Sequence, residues 1–171
     1  MIDFLKLVKS RRSIRRFSGE KIPKEILRNI LETTKYTPSA GNLQSWKCYI
    51  ITDQKKKEAI AEACYKQMFI QQAPLVFVVF SLPSKSKTRY GKRGELYSII
   101  DASIAATYIL LSSHSLGLGA VYIGAFEDDK IRNIINVPLH EQPIAVIPVG
   151  YPAENPMPTE KASIEQLFQY V

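Results

Sequence analysis

Apolar positions along this chain follow two different periods. Phe4, Leu5 and Val8 share one side of a helix, which predicts a short amphipathic helix over 2–10. Pro23 suits a first helical turn, and Ile26, Leu27, Ile30 and Leu31 then recur at helical spacing until Pro38. WKCYIIT at 46–52 is aromatic and β-branched and reads as a strand. Asp53 is placed to cap a helix over KKKEAIAEACYKQ. Ala73-Pro74 breaks the chain. LVFVVFS at 75–81 is apolar throughout, as a strand buried on both faces requires. Residues 83–94 mix Ser, Lys, Thr, Arg and Gly around one Tyr and read as a surface loop or lid.

The segment from Glu95 to Ser115 is apolar on nearly every side and approaches the length of a membrane span. Asp101, His114 and several Ser interrupt it. The pattern therefore favours a central core helix, covered in part by a partner subunit. Gly117 closes that helix as a C-cap. AVYI at 120–123 reads as a strand, DDKIRNII as a helix and PIAVIPVG as another buried strand. A proline-rich tail follows from Tyr151 and ends in IEQLFQYV, whose Leu167, Phe168 and Tyr170 imply docking on something. Helices and about four strands in this order give an α+β layered fold. A length of 171 residues fits one domain over 1–171.

Charge changes the picture. The net charge is +7, and a basic surface attracts nucleic acid, anionic membranes or phosphorylated small molecules. The cations gather at RRSIRR (11–16), KKK (55–57) and KSKTRYGKR (85–93). Cys48 and Cys64 sit in apolar surroundings without metal-type spacing. Free thiols in a reducing cytoplasm are the favoured reading, with a disulfide as the lesser one. The N-terminus has no apolar signal-peptide core, which also favours the cytoplasm. Two histidines, His114 and His140, are too few and too far apart for a His-based metal site.

RRSIRR carries the clearest chemistry. Guanidinium groups give forked, charge-assisted hydrogen bonds that match a phosphate, and Ser13 adds a hydroxyl. In an extended segment Arg11, Ser13 and Arg15 point one way, while Arg12 and Arg16 point the other way with Ile14. A solvated basic turn remains open beside a phosphate cradle. A nucleic-acid patch is weaker, because no helix-turn-helix, zinc-finger or RNP pattern accompanies it. PSAGNLQSW at 38–46 is equally ambiguous: a connecting loop, or a loop whose amides grip a ligand. There is no GxGxxG and no P-loop. Gly124, just after the AVYI strand, would let a backbone N–H approach a flat ligand.

Taken together, RRSIRRF, PSAGNLQSW, GLGAVYIGAF and PVGYPAENPMP, in this order, resemble the nitroreductase family of FMN enzymes over almost the whole chain. The resemblance implies a central, mostly antiparallel sheet of four to five strands flanked by helices. It implies a homodimer, a long buried central helix and FMN at the subunit interface. Arg11 and Ser13 would hold the phosphate and ribityl chain, Arg12 would be a further cofactor-binding residue, and Arg15 would sit near flavin N1 and O2. From the other subunit Pro38, Ser39, Ala40 and Asn42 would line the flavin, with Gln44 in support. Tyr122, Ile123, Gly124 and Ala125 would pack beside the ring, the Gly124 N–H aimed at N5. Lys161 would reach the phosphate. Lys66 or Gln67 stands where a further flavin contact is common. Ser45 departs from a proline common in the family.

The implied activity is hydride transfer from NAD(P)H through flavin N5 to a small-molecule acceptor such as a nitroaromatic or quinone. It needs no catalytic side chain and no metal, nucleic acid or membrane. The alternative implied function is a flavin-binding protein with little NAD(P)H turnover, serving storage, sensing or flavin degradation.

Overall fold

The computed structural model describes residues 3–171. Helix α1 (Phe4–Ser10) begins on Asp3, whose carboxylate accepts the Lys6 N–H. The expected start at Ile2 lies outside the described residues. Helix α2 (Lys24–Lys35) follows Pro23, and β1 (Trp46–Ile51) follows the 38–45 loop. Asp53 caps α3 (Gln54–Ala63), and β2 (Leu75–Ser81) is buried at every position. Helix α4 (Pro83–Tyr90) passes through a 3-10 turn into α5 (Gly94–Ser115). Strand β3 (Gly119–Ala120), α6 (Asp128–Ile135), β4 (Gln142–Gly150) and α7 (Ile164–Leu167) complete the order.

The sheet runs β1-β2-β4-β3, and every neighbouring pair is antiparallel. Helices cover both faces. Val76, Val78 and Phe80 of β2 pack with Ile60 of α3 and Ile131 of α6. Leu75, Phe77 and Val79 pack with Ile30 of α2 and with Ala102, Ala106 and Ile109 of α5. The period of two in β2 is invisible in the sequence because both of its faces are apolar. Each large side chain buried there contributes about 1.5–3 kcal/mol.

Helix α5 presents its alanines to the core, so helix and sheet approach closely. Its other side is uncovered: Leu96 is 48% and Ile100 43% exposed. The stretch Pro83–Ser115 is long and apolar enough to cross a membrane by length and composition, yet α5 supplies much of one core layer.

Three expectations need correction. Residues 83–94 are helix and 3-10 turn, not loop. Pro83 occupies the first helical turn, and the polar residues behind it include no helix breaker before Gly91. The expected AVYI strand is reduced to Gly119–Ala120 plus an isolated bridge from Ile123 to Val146. Val121 and Ile123 are buried while Tyr122 turns outward. Helix α3 stops at Ala63 because Tyr65 and Lys66 take left-handed conformations.

The α4–α5 junction depends on a glycine. A Cβ at Gly94 would stand 2.6 Å from backbone atoms of Ser86 and Lys87. Gly94→Ala is therefore expected to destabilise the protein by about 1–3 kcal/mol, measured as a lower urea midpoint with an unchanged slope.

Candidate functional site

After α1 the chain runs along the edge strand β3. Ser13 bridges Ala120 in parallel, and the Ile14 N–H donates to the Ala120 carbonyl at 3.1 Å. The C-terminal tail returns beside it: the Ala153 N–H donates to the Arg16 carbonyl at 2.9 Å. The Glu154 carboxylate accepts the backbone N–H of Arg15 and, at 3.0 Å, that of Arg16. Sequence reasoning missed Glu154; the acid within PAENPMP, facing a basic cluster, was the available signal. Between the two segments lies a hollow of about 320 Å³. Arg11, Arg12, Ser13, Arg15 and Lys161 all line it, with Lys9 beside them, and its lining includes no carboxylate. None of these cations belongs to a salt bridge among the described residues.

Arg12 corrects an expectation. It does not turn away with Ile14, which alone enters the core. Its guanidinium donates to the Lys9 carbonyl at 2.7 Å and the Arg11 carbonyl at 2.8 Å. The open carbonyls at the end of α1 attract a cation, so the extended alternation starts later than expected.

His114 stands at the same corner, its Nε2 2.8 Å from Ser10 Oγ. Burial, and then the charges of Arg11 and Arg12, hold its pKa below the usual value of 6.5. The unfolded chain therefore binds this proton more readily than the folded one. The stability difference is absent above the unfolded value and grows as pH falls through 6.5 toward the lower folded value. His114→Asn is expected to flatten this part of the Tm–pH profile relative to the unsubstituted protein.

The second group lies in the 38–45 loop. Ala40–Asn42 form one 3-10 turn. Asn42 (φ 56) and Gln44 (φ 49) both adopt left-handed backbone, which is uncommon for residues other than glycine. Local bonds hold this shape. The Gln44 N–H donates to Ser39 Oγ at 2.9 Å, and the Gln44 carboxamide donates to the Asn42 carbonyl at 3.0 Å. Lys85 Nζ of α4 donates to the Gln44 carbonyl at 3.2 Å. A Cβ on Gly41 would collide with the side chains of Tyr90 and Arg89, so α4 packs directly on the loop. From beneath, Asp101 of α5 accepts the Ala40 N–H at 2.9 Å and the Ser45 hydroxyl at 2.5 Å. Pro38 leads into this turn from α2.

The third group follows β3. Ile123 exchanges backbone hydrogen bonds with Val146 at 3.0 and 2.9 Å. The Tyr122 hydroxyl donates to the Ile144 carbonyl at 3.2 Å. Gly124 is open: a Cβ there would meet only Tyr122 Cε1, at 3.5 Å. Among the described residues nothing accounts for a glycine at that position, nor is its φ in the region that favours one.

Other candidates are spent elsewhere. Gln67 donates its carboxamide to the Cys64 carbonyl at 3.0 Å. Cys48 and Cys64 are free thiols, each pushed by burial to a pKa of about 12, so neither is a ready nucleophile. Trp46 packs on the α2/α5 core layer, with its indole N–H buried and without a partner among the described residues. Among the described residues no cluster of acidic, Cys or His side chains could hold a metal ion.

The sheet separates the first two groups. Its pairings place Trp46 level with Ser81 and Gln142 at one end, and Ala120 level with Val149 at the other. Seven steps along β4 and three strand spacings divide these corners, about 23 Å by 14 Å, or about 27 Å diagonally. The arginine hollow and the amide loop of one chain therefore do not converge on one small cofactor.

The chain matches the nitroreductase family model over residues 8–80 and 65–151. It is 36% identical over 159 residues to a Methanothermobacter thermautotrophicus protein whose name joins NADH dehydrogenase and NAD(P)H nitroreductase, covering 91% of this chain and 80% of that one. It is 30% identical to the NADH dehydrogenase of Thermus thermophilus, covering 92% and 90% of the two chains. Its fold superposes on an FMN-dependent nitroreductase of Clostridium difficile with a TM-score of 0.83 and 28% identity, covering 98% of each chain. Motif order, antiparallel sheet, long central helix and these likenesses agree, and the chain belongs to the nitroreductase family.

Proposed function

We propose that this protein is an FMN-dependent NAD(P)H oxidoreductase that acts as a homodimer, with each FMN held between the hollow of one subunit and the loop of the other. One observation carries the reading: a hollow lined by five cations and no carboxylate at one corner of the sheet, and a strained amide loop at the opposite corner. A phosphate supplies the missing negative charge. A second copy supplies the loop that the first cannot bring round. The uncovered apolar side of α5 and the exposed Leu167 and Phe168 of the tail offer surface for that copy.

The residues fit the cofactor. Arg11, Arg12, Ser13 and Lys161 would hold the phosphate, and Arg15 would place a cation beside the ring. Pro38, Ser39, Ala40, Asn42 and Gln44 of the other subunit would present backbone and amide groups to it. Tyr122, Ile123, Gly124 and Ala125 would line its edge, and the missing Cβ at Gly124 leaves room for close backbone approach. When bound, FMN supplies hydride uptake from NAD(P)H and delivery to an acceptor such as a nitroaromatic or quinone. The chain's own part is to bind, orient and fix charge, which agrees with thiols held protonated. The free cysteines fit a reducing, cytoplasmic setting.

The test is an absorption spectrum after adding FMN and removing the excess, followed by NAD(P)H oxidation with menadione as acceptor. Retained flavin and steady turnover are expected. A folded protein that retains no flavin contradicts the proposal. Retained flavin without turnover would make this a flavin-binding protein instead.

A further inference from the structure

Building on that FMN reading, we infer that Asp101 is a positioning residue for the flavin loop, acting as a buried tether from the central helix. Asp101 is 2% exposed, and it sits on the side of α5 whose neighbour Ala102 packs in the core layer beneath β2. The packing gives no use for a carboxylate there, and burying one is unfavourable unless it is hydrogen-bonded. No salt bridge to it occurs among the described residues. Its two oxygens instead take two donors from the 38–45 loop, the Ala40 N–H at 2.9 Å and the Ser45 hydroxyl at 2.5 Å.

The placement of those donors is informative. Ala40 and Ser45 bracket Asn42 and Gln44, the two residues in left-handed conformation. Backbone of that kind persists only where the surroundings over-determine it. The bonds from Ser39 and Lys85 constrain Gln44 itself, whereas Asp101 anchors both ends of the strained segment to a rigid helix. A loop fixed at 40 and 45 holds the intervening amides in one direction, the direction in which they would meet the flavin. Ser45 is thus the second half of a clamp whose first half lies 56 residues further along the chain.

The decisive variants are Ser45→Ala, Asp101→Ala and Asp101→Asn. Ser45→Ala removes one arm and leaves a carboxylate oxygen unpaired. It is expected to weaken FMN binding about tenfold, the effect of one hydrogen bond to a charged group. Asp101→Ala removes both arms and is expected to weaken it further. Asp101→Asn keeps an acceptor for Ala40 and a donor for Ser45, so it should recover most of the affinity. Amide hydrogen exchange on FMN-free protein supplies a readout independent of the cofactor. The Ala40 N–H should be protected in the unsubstituted protein and lose protection in Asp101→Ala, while the β2 amides stay protected in both. An unchanged FMN affinity in Ser45→Ala and Asp101→Ala would overturn the assignment. So would loss of protection spread evenly over the sheet, which marks a purely structural role. If the unsubstituted protein binds no FMN although Ala40 is protected, the flavin role fails through the cofactor rather than through the tether.

Discussion

Replacing Arg11 and Lys161 together by alanine is expected to abolish FMN retention while leaving the fold intact. The two residues approach the hollow from separate segments, the end of α1 and the returning tail. Neither forms a salt bridge within the chain among the described residues, so their loss leaves no partner charge stranded. Each would give the phosphate a charge-assisted hydrogen bond of about 1.5–3 kcal/mol, and removing both corresponds to a loss in affinity of roughly 10²–10⁴-fold. Fluorescence titration with FMN measures this directly. Arg11→Lys keeps the charge but loses the planar fork, and should fall between the double variant and the unsubstituted protein. Binding should weaken with added salt in all three, least in the double variant. An unchanged affinity in the double variant would place the phosphate elsewhere.

The second large effect concerns α5. Ile100 is 43% exposed on the side turned from the core, so a glutamate there is tolerated by one subunit in water. In a dimer that covers this face, the same carboxylate would be buried without a partner, at a cost of several kcal/mol. Ile100→Glu is therefore expected to sediment as a folded monomer and to retain no FMN, because each hollow would lose the loop it borrows. A monomer that still binds FMN normally would mean that one chain builds the whole site. A dimer that persists would put the interface on another face.

Much of this architecture is legible before any coordinates. The period of Ile26, Leu27, Ile30 and Leu31 marks α2, and the unbroken run LVFVVFS marks a strand covered on both faces. What the pattern hides is tertiary. Residues 83–90 look like a loop because polar residues dominate them, yet Pro83 starts a helix and Ser86 is buried under Gly94. Propensity is a weak prior where packing decides. Tyr122 and Ile123 look like strand, but only the backbone of Ile123 pairs with β4, through one bridge. The arginine cluster is plain in the sequence. Its convergence with Lys161 depends on the tail folding back along residues 16–18, a contact that spans nearly the whole chain. From sequence Asp101 is only a polar interruption of an apolar helix. It is satisfied by the loop at 40–45, and spacing alone cannot reveal that pairing.

The central claim is that each FMN site is shared between two chains, and subunit complementation tests it most directly. One variant carries Arg11→Ala with Lys161→Ala and so lacks the hollow; the other carries Asn42→Ala with Gln44→Ala and so lacks the loop amides. Neither alone should retain FMN. Unfolded together and refolded, they form mixed dimers in which one site has both defects and the other has none. The shared-site account expects flavin absorbance to return in the mixture, at one FMN per mixed dimer. A mixture as colourless as its components, with mixed dimers demonstrably formed, would contradict it.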